Sequence, residues 1–206
     1  MSTTTPANPF VAPVTLTGPH ARLEPLSPQH LDGLIDAVQD GHLSRLWYTA
    51  IPSPETMAAE IDRRLRLRDA GEWNPFTVFD AQGRIAGMTT YLHIDAQHLR
   101  VEIGATWTRA SSQRSGLNTQ CKRLLLGHAF EQLDCIAVEL RTHRLNLQSR
   151  RAIERLGAQL DGILRAHQRM PDGSLRDTCV YSITATEWPT VRNHLQWQLD
   201  KPRSND

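Results

Sequence analysis

One junction constrains this chain more than any other feature. Residues 100–107, RVEIGATW, alternate like a strand, and residues 117–130, LNTQCKRLLLGHAF, place Leu117, Cys121, Leu124, Leu125 and His128 at helical spacing. Between them Ala110–Gly116 carries no large apolar side chain. A strand that passes through small residues into a helix start forms a concave anion site. The first helical N–H groups lack intrahelical partners, and the helix dipole adds partial positive charge there. Small residues let a phosphate approach the backbone, and Arg109 and Arg114 can add charge-assisted bonds. The loop lacks the Gly-Lys-Ser/Thr ending of a Walker loop and the repeated glycines of a dinucleotide fingerprint. On these residues alone it is a phosphate site or an ordinary strand-to-helix connection.

The flanking segments define an α/β frame. VTLTGPHARLEPL reads as one strand with a Gly18-Pro19 turn or bulge inside it. Ser27-Pro28 and Ser53-Pro54 each pair an N-cap with proline at the first helical position. Leu31, Leu34, Ile35 and Val38 follow the first and stop at Gly41; Met57, Ile61 and Leu65 follow the second and stop at Gly71. PFTVFD and RIAGMTTYLHI read as strands joined through Asp80–Gly83, and RVEIGATW as a third. There the period of two sets Val101, Ile103, Ala105 and Trp107 on one face and Glu102, Gly104 and Thr106 on the other. After the helix come the strand IAVELRT and a short helix capped by Asn146 and stopped by Gly157. A hairpin about Pro171-Asp172-Gly173 and a helix carrying Trp188, Val191, Leu195 and Leu199 complete the chain. The expectation is an α+β (mixed α/β) domain of about seven strands.

Composition removes several function classes. A net charge of +1 over 206 residues offers no field for nucleic acid or an acidic membrane. No apolar stretch approaches the length of a membrane span, and MSTTTPANPFVAP lacks the pattern of a signal peptide. Cys121, Cys135 and Cys179 are odd in number and lack metal spacing, which reads as core thiols in a reducing compartment, hence the cytoplasm. His93 and His143 have no metal-type partners at sensible spacing, so no metal is expected.

VEIGATW, QRSGLNTQCKRLLLGHAF, VELRTHRLNLQSRRAIERLGA and LRAHQRMPDGSLRDTCVYSI together resemble the GNAT superfamily of N-acetyltransferases. They are most similar to the branch of the ribosomal-protein N-terminal alanine and serine acetyltransferases, over residues 14–185. The resemblance implies a central sheet splayed in the middle with helices on both faces, acetyl-CoA as co-substrate and an amine as acceptor. It implies that the backbone of Gly104, Ala105, Thr106 and Trp107 pairs with the pantetheine arm. Gln113, Arg114, Ser115, Gly116, Leu117, Asn118 and Thr119 form the pyrophosphate loop, and Asn146 contacts the pantetheine or the leaving sulfur. Asn118 stands where many members have glycine or alanine, and Gln120 replaces a common glutamate. The tyrosine that many members use to protonate the thiolate is missing from NLQSRRAIERLG, and Ser149 is the best-placed substitute.

Amide formation needs a neutral amine, a polarised carbonyl and a stabilised leaving group. Glu102 shares a strand face with Gly104 and is the candidate base; a salt bridge to Arg100 or a neighbouring strand is its ordinary alternative. Asn146 and Ser149 complete the catalytic set, each with helix capping as its structural alternative. His167, Tyr181, Trp47 and Tyr48 rank lower, as acceptor-pocket or packing residues. The reading is an N-acetyltransferase acting by direct attack in a ternary complex. The alternatives are a degenerate CoA-binding module and an acyltransferase using another donor such as succinyl-CoA. Residues 1–13 are expected as a loose arm, 14–185 as the catalytic domain and 186–206 as a C-terminal helix and tail that can support a homodimer.

Overall fold

Gly18-Pro19 separates two strands where one was expected. In the computed structural model, which describes residues 8–201, Leu16–Gly18 (β1) turns back onto Ala21–Pro25 (β2), so the sheet has eight strands among the described residues instead of seven. Proline locks its own φ and has no N–H for a ladder, so it sits in the turn. The others are Asn74–Asp80 (β3), Ile85–Asp95 (β4), Arg100–Thr108 (β5), Ala137–His143 (β6), Gln159–Arg169 (β7) and Leu175–Thr184 (β8). They lie in the order β1-β2-β3-β4-β5-β6-β8-β7, antiparallel except for the β5–β6 pair. The helices are Leu31–Gln39 (α1), Met57–Asp69 (α2), Leu117–Glu131 (α3), Leu147–Arg155 (α4) and Trp188–Asp200 (α5).

Both Ser-Pro starts fold as single 3-10 turns, Pro28–His30 and Pro54–Thr56, that lead into α1 and α2. These two helices cover one face of the sheet's N-terminal half, where Leu34, Val38, Met57 and Ile61 pack on Met88 and Trp107. The opposite face is buried from β2 to β8, whereas the edge strand β7 is exposed. Val78, Tyr91, Ile103, Val138, Tyr181 and Ile183 meet Leu117, Cys121, Leu125 and Ala129 of α3, with Ile153 of α4 and Leu195 of α5 behind. Tyr91 donates its hydroxyl to the Leu125 carbonyl, which satisfies a fully buried phenol. Cys121, Cys135 and Cys179 are free and buried. Residues 1–7 of the expected arm lie outside the described residues; beyond them Phe10 is core, and Asn74 Nδ2 holds its carbonyl at 2.9 Å. In α5, Trp188 stacks on Phe130 while Trp197 faces solvent.

Two irregularities shape the centre. Thr90 faces Gly104 and Met88 faces Trp107, so β5 spends one residue more than β4 over the same span. That extra residue is a bulge at Ala105, whose φ is +46°. It corrects the expected alternation: Val101 and Ile103 point into the α3 side, and Trp107 points into the α1–α2 side. The second irregularity is the β5–β6 pair, which runs only from Arg100–Ala137 to Glu102–Glu139 and then parts. Among the described residues no helix covers β6, β8 or β7 on the side opposite α3, and a cleft of about 920 Å³ opens there and between the strands.

Gly87 pairs with Thr108, just beyond the bulge, at φ +152°, where an added Cβ would collide with the Trp107 carbonyl. Gly87→Ala is expected to lower stability by about 1–3 kcal/mol, read as a shift in urea midpoint at unchanged m-value.

Candidate active site

Glu102 stands at the apex where β5 and β6 separate, and it is 5% exposed. Its Oε2 lies 2.7 Å from His93 Nδ1 and 3.4 Å from Arg141 Nε. The expected ion-pair alternative is therefore present from the neighbouring strand, whereas Arg100 reaches Glu139 at 2.8 Å. The bond to Glu102 raises the His93 pKa above its ordinary value, against the opposing effect of burial. Gly104 leaves space for this carboxylate: a Cβ there would sit 2.6 Å from Glu102 Oε1. The Glu102–His93 pair was missed in sequence because the two residues come from adjacent strands, out of register by a local irregularity between Leu92 and Asp95.

Arg64 of α2 organises the bulge from behind. It is 1% exposed, bonds Glu60 Oε1 through Nε (2.7 Å), and donates Nη1 to Thr90 Oγ1 (2.8 Å) and to the Ala105 carbonyl (3.3 Å). Burial opposes the Glu60 charge, but Arg63 and Arg64 outweigh it and hold the carboxyl below its ordinary range. The Ala105 carbonyl is thereby turned to a side chain of α2. Gly104, Ala105, Thr106 and Trp107 line the cleft, and the buried Trp107 Nε1 has no partner among the described residues.

The loop after β5 has the features of an anion cradle. A 3-10 turn at Ala110–Ser112 precedes Arg114, whose φ is +59°. The backbone N–H groups of Arg114, Ser115, Gly116, Asn118 and Thr119 make no hydrogen bond among the described residues; Leu117 N–H is taken by Ser115 Oγ. Gln113, Arg114, Ser115 and Asn118 line the cleft, while Leu117 and Thr119 turn their side chains inward; of these two only Thr119 keeps a free backbone N–H. Gln113 ties the loop to the end of β5, donating Nε2 to the Thr108 carbonyl at 3.1 Å. Arg109 does not serve the loop. It is buried on Asp36 and Asp40 at 2.9 Å each and fixes α1 to the sheet.

Across the gap, Asn146 caps α4 by accepting from Ser149 N–H at 3.0 Å, and both side chains border the cleft. The capping alternative therefore holds for Asn146. Ser149 Oγ makes no hydrogen bond among the described residues and is free to donate into the cleft. Tyr48 and His167 line the cleft, and Trp47 packs edge-on against His143. Tyr181 does not reach the cleft: its hydroxyl donates to Glu154 and accepts from Arg150 on the α4 side. Cys121 is sealed in the core, where burial pushes its thiol up to about 12, which removes it as a nucleophile at neutral pH. Among the described residues no cluster of His, Cys, Asp and Glu suits a metal, and no helix is long and apolar enough to cross a membrane.

Lys122 was also missed. Its ammonium is buried one helical turn beyond Asn118, with Thr106 Oγ1 at 3.1 Å as its sole partner among the described residues. Burial pulls its pKa down to about 8.

Residues 20–159 match the acetyltransferase (GNAT) domain. A candidate acetyltransferase from T. thermophilus is 33% identical, with TM-score 0.79 over 91% of this chain and 97% of that one. A GCN5-related N-acetyltransferase from Brucella melitensis is 28% identical, with TM-score 0.80 over 90% and 85%. Mycobacterium smegmatis RimJ in complex with CoA-disulfide shares the fold at 21% identity, TM-score 0.75, over 90% and 93%. No curated protein matches the sequence.

His93 carries a raised pKa, so its contribution to stability is complete below the unfolded value and fades as pH rises through the folded one. An NMR titration is expected to place its midpoint above about 6.5, and Glu102→Gln to bring it back down. Lys122 works in the opposite direction, since folding deprotonates it more readily. Lys122→Met is expected to raise the melting temperature at pH 7 by about 2–6 °C, by removing a buried charge without a counter-ion.

Proposed function

The chain belongs to the GNAT acetyltransferase family, and from that premise we propose that it moves an acetyl group from acetyl-CoA to a primary amine by direct attack within the cleft. The observation that carries this reading is the coincidence of three features at one place. They are a strand edge freed where β5 leaves β6, a cradle of unpartnered N–H groups at the start of α3, and a buried carboxylate at the apex between them.

The N–H groups of Arg114, Ser115, Gly116, Asn118 and Thr119 receive the pyrophosphate, with the α3 dipole behind them. The freed backbone from Gly104 to Trp107 pairs with the amides of the pantetheine arm, and this sets the thioester beside Glu102. Lys122 supplies a positive charge beneath the arm. Glu102 takes a proton from the acceptor ammonium, directly or through one water, and His93 shares that charge. The amine nitrogen then bonds to the thioester carbon, and backbone N–H groups at the bulge receive the charge that builds on the carbonyl oxygen. As the C–S bond breaks, Ser149 Oγ–H donates a proton to the departing sulfur and regains one, through water, from the attacking nitrogen, which sheds its second proton as the amide forms; Asn146 holds the α4 start that carries Ser149. No protein nucleophile is needed, in keeping with the sealed Cys121. The acceptor class in this reading is an amine of a protein or peptide N-terminus or of a small molecule.

Glu102→Gln and Ser149→Ala are each expected to lower kcat by about 10²–10³-fold while calorimetry finds acetyl-CoA affinity within a few-fold of wild type. Asn118→Pro, which distorts the cradle, is expected to raise the acetyl-CoA KM more than it lowers kcat. Coenzyme binding with no turnover on any amine, in wild type as in the variants, would instead favour a CoA-binding module.

A further inference from the structure

The sheet face left open by the helices carries charges that do not balance. The register places Glu102 beside Glu139, Glu139 beside Ser182, Arg141 beside Val180 and His143 beside Thr178, so these side chains share that face. Arg176, two residues before Thr178 on β8, shares it too. Three acids border this face: Asp161 of β7 accepts from Ser182 Oγ at 3.0 Å, six residues along β8 from Arg176, and the other two are engaged by cations. Glu139 holds Arg100 at 2.8 Å and Arg141 at 2.7 Å, and Glu102 holds His93 at 2.7 Å with Arg141 at 3.4 Å. Farther out, Asp177 is taken by Arg165 at 2.9 Å.

Arg176 is the cation left over. Its Nε donates to Thr178 Oγ1 at 3.0 Å, and its two terminal nitrogens meet no carboxylate, carbonyl or hydroxyl among the described residues. It is half-buried and lines the cleft with His143, His167 and Thr178. His167 and His143 bring no negative charge: His167 Nδ1 is engaged with Thr178 Oγ1, and His143 accepts from Leu145 N–H. Burial pulls the Arg176 pKa down and Glu102 restores only part of it, so the guanidinium is held where water solvates it poorly. A planar fork of free donors, kept charged in a partly dry wall, is matched by a planar bidentate anion. Its place beyond the open end of β6, across the gap from the β5 backbone and away from the α3 loop, separates it from the phosphate cradle.

We propose that the substrate side of the cleft binds a carboxylate, seated on the terminal nitrogens of Arg176. This rests on the acetyl-transfer reading above and narrows its substrate. The carboxylate has two chemical sources. It belongs either to the acceptor, as in an amino acid or an acidic peptide N-terminus, or to a dicarboxylic acyl chain carried by the donor.

The test measures thiol release by the full-length protein and by Arg176→Gln and Arg176→Lys, with thermal melts to establish that each variant is folded. One arm uses acetyl-CoA with pairs of amines that differ only in a carboxylate against its carboxamide. The other compares succinyl-CoA with acetyl-CoA at a fixed amine. In wild type the carboxylate-bearing member of one arm is expected to win by about tenfold or more in kcat/KM, mainly through KM. Arg176→Gln is expected to bring that ratio close to one, and Arg176→Lys to keep part of it, because a point charge replaces the fork. Preference in the first arm assigns the carboxylate to the acceptor, and preference in the second assigns it to the acyl chain. Turnover with no preference in either arm, or a preference that survives Arg176→Gln in a folded protein, overturns the proposal. Absence of thiol release together with absence of acetyl-CoA binding overturns the transfer reading itself, a result distinct from turnover without preference.

Discussion

The Ala105 carbonyl is bonded to a guanidinium, and much of the cleft depends on that substitution of partners. In a regular ladder β5 would continue beside β6, and its polar groups would be satisfied strand to strand. Here a residue at φ +46° breaks the pleat, and Arg64, anchored by Glu60 and Thr90, takes the carbonyl that the ladder gives up. The arrangement is costly to dismantle. An ionised guanidinium buried at 1% exposure is tolerated only while its partners are in place, and removing one partner of such a pair costs about 3–5 kcal/mol. The distortion in β5 is thus fixed by α2, an element that lies outside the phosphate cradle. Beyond the bulge Trp107 turns to the α1–α2 side, and the strand edge facing β6 is free.

Polarity divides the sheet in a way that follows from helix placement. The α3 face is apolar from β2 to β8, and the opposite face is apolar only beneath α1 and α2. Past β5 that second face carries Glu102, Glu139, Arg141, His143, Thr178 and Arg176. Residues of this kind cannot form a core without partners, so the same pattern that leaves the face uncovered also supplies the groups for chemistry. Lys122 is the exception on the apolar side. It holds a buried ammonium at Thr106, in a place where a hydrocarbon side chain of similar volume would be the more stable occupant.

Most of this architecture is legible in the chain because it rests on local signals. The two Ser-Pro starts, the glycine stops and the small-residue loop before Leu117 each act within a turn of chain. Glu102 is legible because a carboxylate interrupts an apolar strand. What escapes depends on partners far away in sequence or on phase. Ala105 and Trp107 are both apolar, so a period of two fits them on either face, and nothing local marks the bulge. Arg63 and Arg64 are the same residue side by side, yet one stacks on Trp73 at the surface and the other is core. Nothing local ties His93 to Glu102 until β4 and β5 are in register, and nothing local marks Arg176 until the acids near it have been assigned. Arg109 shows the converse error. A basic residue beside a phosphate loop is in fact neutralised by two aspartates of α1 and its C-terminal end, residues some seventy positions away.

Because β5 and β6 are paired at three positions only, the two halves of the sheet are joined by a short ladder and by α3, whose apolar side packs beneath both. That makes α3 the spine of a hinge. A rotation of the β6–β8–β7 half about this axis would widen or narrow the cleft without breaking the remaining ladders, because it would draw on side-chain repacking and spare backbone hydrogen bonds. With such a hinge, amides on β4 and β8 would be protected to the level of global unfolding, while the β5 amides that border the gap would exchange through this smaller opening. A molecule lying between the halves acts as a wedge and a brace at once.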